Sequence, residues 1–232
     1  MILGDHCSRA CRFCDVPTGP LGPVDPEEPR QVAQMLARLK LEYVVITSVD
    51  RDDLPDGGAG HWARTLNEIR RLCPGLGVEA LVPDFKADPS LIETVRRAQP
   101  DVFAHNIETV ASLQKRVRPQ CRYDWSLQAL TLAASKFGCI TKSSLMLGHG
   151  ESFEEVIATL RDLRETGCRM VSIGQYLQPS RSHLEVVEYV HPEVFARLKE
   201  EGEAMGFDHV ESGPLVRSSY KADRQAGAAG IL

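Results

Sequence analysis

The stretch YVVITSVDRDDLPDGGAGHWARTLNEIRRLC, residues 43–73, reads as a strand, a polar loop and a helix in that order. Its first seven residues are mostly β-branched, which predicts a buried strand over 43–49. After the loop, apolar side chains recur with helical spacing at Trp62, Leu66 and Ile69. The stretch therefore predicts one strand–loop–helix unit.

The same alternation extends through the rest of the chain. Further strands are predicted at 78–84, 101–108, 140–147, 169–176 and, more weakly, 207–212, and helical stripes at 32–39, 127–137 and 156–163. Such alternation predicts parallel βαβ units, and about six of them curl more naturally into a barrel than into an open sheet. We predict the α/β class: a partial (β/α)6 TIM-like barrel forming a single domain over 1–232, with its first strand, MILG, cut short.

Composition limits the classes of function. Of 232 residues, 43% are hydrophobic and 25% charged, and the net charge of −5 provides no basic surface for nucleic acid. The sequence has no run of about 18 apolar residues, so no membrane span is predicted. It also has no basic region followed by an apolar region at its start, so no secretory signal is predicted. Seven cysteines in a chain of this size indicate a reducing compartment, with thiols in the core or on metal.

Three cysteines, Cys7, Cys11 and Cys14, stand in a C-x3-C-x2-C pattern among charged neighbours. Thiolates are soft ligands that select zinc, copper(I) or iron–sulfur clusters. One alternative is a structural zinc site completed by His6 or a distant side chain, although zinc motifs usually comprise two ligand pairs. Another is three buried cysteines, which the charged neighbours disfavour. We favour a 4Fe–4S cluster held by three thiolates with one iron left open.

The other four cysteines are isolated in the sequence. Cys73 falls on a helical stripe, and Cys139 and Cys168 stand at the starts of strands, so core packing explains all three. Cys121 is predicted to be a loop residue without a role.

Polar residues follow the predicted strands, and in a barrel these positions surround one cavity. The candidates for cofactor binding there are Ser48, Asp50, Asn106, Glu108, Lys142, Gln175 and Arg181. Each one alone is better explained as a solvated loop residue, but together they form a recurring ring of polar loops that a purely structural barrel does not need. Lys142, inside an apolar strand, has a second explanation as the partner of a buried carboxylate such as Glu108.

The cysteine pattern, with Phe13 directly before the third cysteine, resembles the signature of the radical S-adenosylmethionine (radical SAM) enzymes. Longer segments resemble the lipoyl synthase family, and they are spread over the whole chain. They are MILGDHCSRACRFCDV (1–16), YVVITSVDRDDLPDGGAGHWA (43–63), LVPDF (81–85), PDVFAHNIETV (100–110), QYLQPSRSHLEV (175–186) and GPLVRSSYKAD (213–223).

The resemblance implies a function for particular residues. Cys7, Cys11 and Cys14 would be catalytic, holding the 4Fe–4S cluster that binds and cleaves S-adenosylmethionine, and Phe13 would lie near the adenine. Ser219, in RSSY (217–220), would ligate a second, auxiliary 4Fe–4S cluster that donates sulfur. The reaction would insert sulfur at C6 and C8 of a protein-bound octanoyl group.

The resemblance also implies partners and a location. The substrate would be an octanoylated lipoyl carrier domain or carrier protein, and the electron donor a ferredoxin or flavodoxin. Neither nucleic acid nor a membrane is expected as a partner. The location would be the cytoplasm, or an organelle matrix if the source is eukaryotic.

One departure from the family is visible. Members normally carry a C-x4-C-x5-C segment for the auxiliary cluster, and no cysteine precedes Cys7. We therefore expect a fragment that binds one cluster, cleaves S-adenosylmethionine and does not complete sulfur insertion. The alternatives are another single-cluster radical SAM enzyme and a non-enzymatic zinc-binding protein.

Overall fold

The computed structural model describes residues 1–230, so the last two residues of the predicted domain lie outside the described part. Within this range six parallel strands form one sheet in sequential order. The strands are β1 Tyr43–Thr47, β2 Gly77–Leu81, β3 Val102–Ala104, β4 Thr141–Leu147, β5 Met170–Gln175 and β6 His209–Ser212. Parallel neighbours in sequential order, with helices between them, confirm the α/β class and the curling sheet.

Helices connect the strands. They are α1 Glu28–Leu39, α2 Ala59–Leu72, α3 Pro89–Arg97, α4 Gln114–Val117, α5 Tyr123–Thr131, α6 Phe153–Glu165, α7 Pro192–Ala204 and α8 Ala222–Ala228. The predicted stripes fall on α1, α2, α5 with the π-helical turn Leu132–Lys136, and α6. No helix in residues 1–230 is long and apolar enough to cross a membrane.

Two helices that no predicted stripe marks, α3 and α7, begin at a proline that follows a capping side chain. The Asp88 side chain accepts the backbone N–H of Ser90 at 2.8 Å, and His191 caps α7 through the N–H of Glu193. Proline is favoured at the first helical position because its missing N–H has no partner there in any case. These starts were therefore readable from local sequence, although the apolar stripes are short.

The predicted opening strand, MILG, forms a single bridge to the end of β1. The Ile2 N–H donates to the Thr47 carbonyl at 2.8 Å, and the Val49 N–H donates to the Ile2 carbonyl at 3.4 Å. Ile2 and Leu3 are both buried against α2 and β1 in the core. This bridge places the following cysteine loop beside the carboxyl end of β1.

The core on this side of the sheet depends on α2. Trp62, Leu66 and Ile69, the predicted stripe, are almost completely buried. The Trp62 indole Nε1 also donates to the Ser48 hydroxyl at 3.2 Å, which satisfies its polar atom inside an apolar cluster. The stripe therefore attaches α2 to the end of β1.

Near the amino end of β4, Lys142 is buried inside the barrel with Glu79 of β2. The Lys142 Nζ lies 3.0 Å from Glu79 Oε2, and both side chains are 1% exposed. The Tyr43 hydroxyl donates to the same carboxylate oxygen at 3.2 Å. This bears out the explanation of Lys142 as an inward lysine paired with a buried carboxylate, and it corrects the partner from Glu108 to Glu79. The cofactor-binding role predicted for Lys142 stays a prediction.

Removing one member of this pair should destabilise the fold. Glu79→Ala leaves the Lys142 ammonium group buried without a counter-charge, so we expect the free energy of unfolding to fall by about 3–5 kcal/mol. Urea unfolding of the cluster-free chain measures it. The control is the double variant Glu79→Leu with Lys142→Met, which removes both charges and should be closer to wild type. A Glu79→Ala chain as stable as wild type would contradict this account.

Candidate active site

The cysteine loop is closed on itself and bound to the segment after β1. The Cys7 N–H donates to the Pro17 carbonyl at 2.9 Å, and the Ser8 N–H donates to the Asp50 carbonyl at 3.0 Å. Cys7, Cys11 and Cys14 are free and half-buried. The loop therefore holds three thiols at the carboxyl edge of the sheet, the edge where barrel enzymes place their chemistry.

The surroundings of the thiols suit metal ligation. Burial raises the pKa of Cys7 and Cys14, and contact with Cys121 followed by burial raises that of Cys11. The Cys7 sulfur accepts backbone N–H groups from Asp50 at 3.3 Å and Arg9 at 3.5 Å. Such donors stabilise a ligating thiolate, while burial keeps the thiols protonated until a cation takes the place of the proton.

A single metal ion fits the loop less well than a cluster. Within residues 1–230, no three His, Cys, Asp or Glu side chains converge on a point that would hold one ion. His6, the candidate fourth zinc ligand, bonds through Nδ1 to Asp5 at 2.8 Å. Thiolates that ligate different irons of one cluster need not converge on one point. The donor set of three soft thiols therefore fits an iron–sulfur cluster.

Arg9, between the first two cysteines, connects the loop to the ends of β1 and β2. Its guanidinium bonds Asp52 through Nε at 2.7 Å, and bonds both oxygens of Asp84 through Nη1 and Nη2 at 2.7 and 2.8 Å. Its side chain is 1% exposed and that of Asp84 is fully buried. Burial alone would raise the pKa of Asp84, but the hydrogen bonds and charge of Arg9 lower it to about 2.

Sequence reasoning did not identify Arg9 or Asp84. Arg9 looks like one of several charged residues in a loop, and Asp84 is the fourth residue of the quoted LVPDF segment. Only the fold shows that the two groups meet, because they come from loops that follow different parts of the sheet. The two residues position the loop.

Four of the predicted cofactor-binding residues line one cavity at the carboxyl ends of β1–β3. They are Ser48, Asp50, Asn106 and Glu108. The Asn106 amide donates to Glu108 at 3.0 Å, and burial raises the pKa of the Glu108 carboxyl. The fold thus collects polar groups that the sequence places on separate loops.

Arg118 completes this cavity and was missed by sequence reasoning. It is buried, and its Nη1 donates to the carbonyls of Asn106 and Ile107 at 3.2 Å each. Because it follows α4 rather than a strand, the rule that polar residues follow strands does not select it. It contributes a guanidinium beside two carboxylates, so the cavity offers both signs of charge.

Gln175 does not face this cavity. Its Nε2 donates to the carbonyls of Tyr176 and Glu188 at 3.0 Å each, and its Oε1 accepts the Val190 N–H at 2.9 Å. Both polar atoms of the Gln175 amide are therefore used in hydrogen bonds to the backbone of the loop after β5. These bonds give Gln175 a structural role, and the cofactor-binding role predicted for it stays a prediction.

The QPSRSH segment reaches the cysteine loop through His183. The His183 Nε2 donates to the Cys14 carbonyl at 3.0 Å, and Ser182 and His183 line a shallow cavity with Cys11 and Cys14. Arg181 itself is exposed. Its binding role stays a prediction.

Phe13 and Ser219 lie in different places. Phe13 packs against a small apolar cluster that contains Val117 and Tyr176. Ser219 lines a cleft with Tyr43, at the beginning of β1 and therefore away from the cysteine loop. The structure does not bring Ser219 to the three cysteines, and the roles of both residues stay predictions.

The isolated cysteines divide into two kinds. Cys73, Cys139 and Cys168 pack against or within the hydrophobic core, as their positions predict. Cys121 belongs to the turn after α4, but it is buried, and the Arg9 Nη1 approaches its sulfur to 3.4 Å. It therefore lies beside the cysteine loop, which its isolation in the sequence did not indicate.

Comparison with known proteins agrees with this geometry. The sequence profile of the Radical SAM superfamily matches residues 1–163. Streptococcus suis SuiB bound to S-adenosylmethionine resembles the fold with a TM-score of 0.62 and 13% identity, over 86% of this chain and 45% of that one. The fold and the site thus define a radical SAM protein.

Relatives with higher sequence identity identify the family within this superfamily. A lipoyl synthase of Azotobacter vinelandii is 54% identical over 231 residues, which cover 99% of this chain and 71% of that protein. A lipoyl synthase of Caldanaerobacter subterraneus subsp. tengcongensis is 54% identical over 224 residues, covering 96% and 78%. The chain belongs to the lipoyl synthase family.

The Arg9–Asp84 pair should make the free energy of unfolding depend on pH in the acid range. The pKa of the Asp84 carboxyl is about 2 in the folded chain and near 3.8 in the unfolded chain. As the pH falls, the unfolded chain is therefore protonated at this carboxyl before the folded chain is. The contribution is complete above about pH 4 and is lost as the pH falls toward about 2; it amounts to about 2 kcal/mol. Urea unfolding of cluster-free wild type and Asp84→Asn should give free energies that converge over this window, and parallel pH profiles would contradict the assignment.

Proposed function

We propose that this radical SAM sulfurtransferase inserts sulfur at C6 and C8 of a protein-bound octanoyl group. The observation that carries the proposal is the three-thiol loop, held at the carboxyl edge of a barrel that belongs to the lipoyl synthase family. Cys7, Cys11 and Cys14 would hold a 4Fe–4S cluster. The bound cluster supplies the electron that cleaves S-adenosylmethionine.

The chemistry explains why such a cofactor is needed. An alkyl C–H bond has no useful acidity, so no general base in the cavity could open it. The cofactor supplies the reactive species, and the protein supplies binding and orientation. Here Arg9 and Asp84 fix the loop, and the Asp50 N–H supports the Cys7 sulfur.

The cavity beside the loop suits the amino-acid end of S-adenosylmethionine. An amino-acid headgroup carries an ammonium and a carboxylate, and the cavity offers Asp50 and Glu108 for the first and Arg118 for the second. Phe13 would provide apolar surface for the adenine. Ser48 and Asn106 add neutral hydrogen-bonding groups.

The remaining parts of the proposal rest on the resemblance of the RSSY segment, and of the other segments quoted above, to the lipoyl synthase family. Ser219 would ligate the auxiliary cluster that is the sulfur source. The substrate would be an octanoylated lipoyl carrier domain or carrier protein, and a ferredoxin or flavodoxin would supply electrons in the cytoplasm or an organelle matrix.

Anaerobic reconstitution with iron and sulfide tests the first cluster. We expect about four irons per chain and iron–sulfur absorption, with 5′-deoxyadenosine formed once S-adenosylmethionine and a strong reductant are added. Cys7→Ala, Cys11→Ala and Cys14→Ala should each lose cluster and cleavage because each removes a ligand. Cys73→Ala, which changes a core cysteine, is the matched control and should retain both.

Two results would contradict this part of the proposal. About eight irons on the chain would show a second cluster held without the family's other cysteines. Stoichiometric zinc with no iron–sulfur absorption would favour a zinc-binding protein instead.

Product analysis tests sulfur insertion. Supplied with a peptide carrying C-x4-C-x5-C, the reconstituted chain should convert an octanoylated carrier domain to the lipoyl form, as measured by intact mass. Ser219→Ala should lose lipoyl formation while it still produces 5′-deoxyadenosine, because only the auxiliary cluster loses a ligand. Ser218→Ala is the matched control. Wild type that forms 5′-deoxyadenosine but never a thiolated carrier would favour a different single-cluster enzyme.

A further inference from the structure

Four exposed cationic side chains lie on and beside the cysteine loop, and the proposed chemistry does not yet use them. They belong to three short segments that are distant in the sequence: the cysteine loop, α4 and the loop after β5. We call this group the basic rim, and its members are Arg12, Lys115, Arg116 and Arg181.

Backbone hydrogen bonds join the three segments at Arg12. The Arg12 N–H donates to the Val117 carbonyl at 2.9 Å, which places this residue against the end of α4. The Leu184 N–H donates to the Arg12 carbonyl at 3.0 Å, which attaches the loop after β5. Arg12 therefore connects the segment that carries the two cations of α4 to the segment that carries Arg181.

The basic rim borders the place where the loop thiols are accessible. Arg12 lines the shallow cavity that also contains Cys11 and Cys14, and it stands between these two cysteines in the sequence. Ser182, the neighbour of Arg181, lines the same cavity. A protein bound to the basic rim would thus lie directly against the three-thiol loop.

Neighbouring carboxylates do not neutralise the basic rim. None of its four side chains forms an ion pair within residues 1–230, whereas exposed cations elsewhere do, such as Arg71 with Glu68 at 2.7 Å. The exposed carboxylates in segments 10–15, 114–118 and 179–185 are Asp15 and Glu185, so the cations outnumber them. Because the whole chain has a net charge of −5, this positive excess is local. An unpaired positive surface of this kind complements an acidic partner.

We propose that the basic rim is the docking surface for the acidic face of a one-electron carrier protein, a ferredoxin or flavodoxin. The proposal rests on the proposed function, in which the cluster must receive an electron before S-adenosylmethionine is cleaved. In the docked complex the carrier is oxidised by one electron and the cluster is reduced by one. No covalent bond forms between the two proteins.

The position of the basic rim favours an electron carrier over a lipoyl carrier domain. Electron transfer slows exponentially with distance, so an electron donor must dock against the loop that holds the cluster. An octanoyl group on a lysine is a long arm, so its carrier domain can bind farther from the reacting atoms. Arg12 lies inside the C-x3-C-x2-C pattern itself, which meets the first requirement.

The small size of the basic rim also suits this partner. Electron-transfer encounters are among the smallest protein interfaces and bury less than about 1,200 Å². Charges at the edge of an interface mainly raise the rate of association, which is what a donor that binds briefly and leaves requires.

Cross-linking tests the docking surface without any iron. The full chain, with no cluster loaded, is mixed with oxidised flavodoxin and a carbodiimide, which joins a lysine amine to a carboxylate in direct contact. We expect Lys115 to be the main linked lysine, and the yield to fall as salt rises from about 50 to about 300 mM because screening weakens the attraction. Lys115→Gln should lose the main product. Lys199→Gln, which changes an exposed lysine on α7, is the matched control and should retain it.

Stopped-flow measurements on the reconstituted chain test electron delivery. Lys115→Glu with Arg116→Glu should lower the second-order rate constant for cluster reduction by reduced flavodoxin about tenfold or more, because favourable steering becomes repulsion. Reduction by dithionite, which needs no docking surface, should change by less than about twofold. Arg38→Glu with Lys199→Glu makes the same change of charge on α1 and α7, and it should leave the flavodoxin rate close to wild type.

Three results would overturn the proposal. The first is cross-linking spread over the lysines without preference for Lys115. The second is an equal loss of flavodoxin rate in both double variants, which would show a dependence on net charge alone. The third is displacement of flavodoxin from Lys115 by an octanoylated lipoyl carrier domain at a lower concentration than flavodoxin itself requires, which would assign the surface to the substrate. Failure of the wild-type chain to load a cluster would instead contradict the proposed function, and the cross-link map would still decide the docking surface.

Discussion

The buried Arg9 guanidinium is the interaction on which the arrangement of the site depends. A charge removed from water is tolerated only where partners replace its hydration, and here two carboxylates do so with four short hydrogen bonds. Because Arg9 belongs to the cysteine loop while Asp52 and Asp84 follow different strands, satisfying the charge also fixes the loop relative to the sheet. A loop that presents three sulfurs at defined positions needs such supporting contacts, because a flexible loop would not hold the sulfurs in place.

The two ends of the barrel use buried charge differently. Toward the amino end, Lys142 and Glu79 neutralise each other inside the fold, and both side chains are 1% exposed. At the carboxyl end, Asp50, Glu108 and Arg118 surround a cavity. Parallel strands account for this division, since every strand ends at the same edge and every following loop adds side chains to it. The same residue types therefore stabilise one end and offer binding groups at the other.

Arg9 also contacts Cys121, because its Nη1 lies 3.4 Å from the Cys121 sulfur. The turn after α4 is bonded to the cysteine loop on both sides of Cys11, so a thiol that is isolated in the sequence lies beside that loop. Our interpretation of Cys121 as a loop residue without a role missed this, because no local pattern marks a contact across so much of the chain.

The sequence alone determined the strand–helix alternation, the stripe on α2 and the cysteine pattern. These are local features, since periodicity and spacing are written along the chain and need no knowledge of distant neighbours. Whole-segment resemblance likewise identified the family. Tertiary structure alone decided that Arg9 meets Asp84, that Arg118 completes the cavity, that Lys142 pairs with Glu79, and that Gln175 bonds the loop after β5. The physical reason is that a buried polar group must find a partner, and in a curled parallel sheet that partner comes from another strand or from the loop that follows it, at a sequence distance that no local rule encodes.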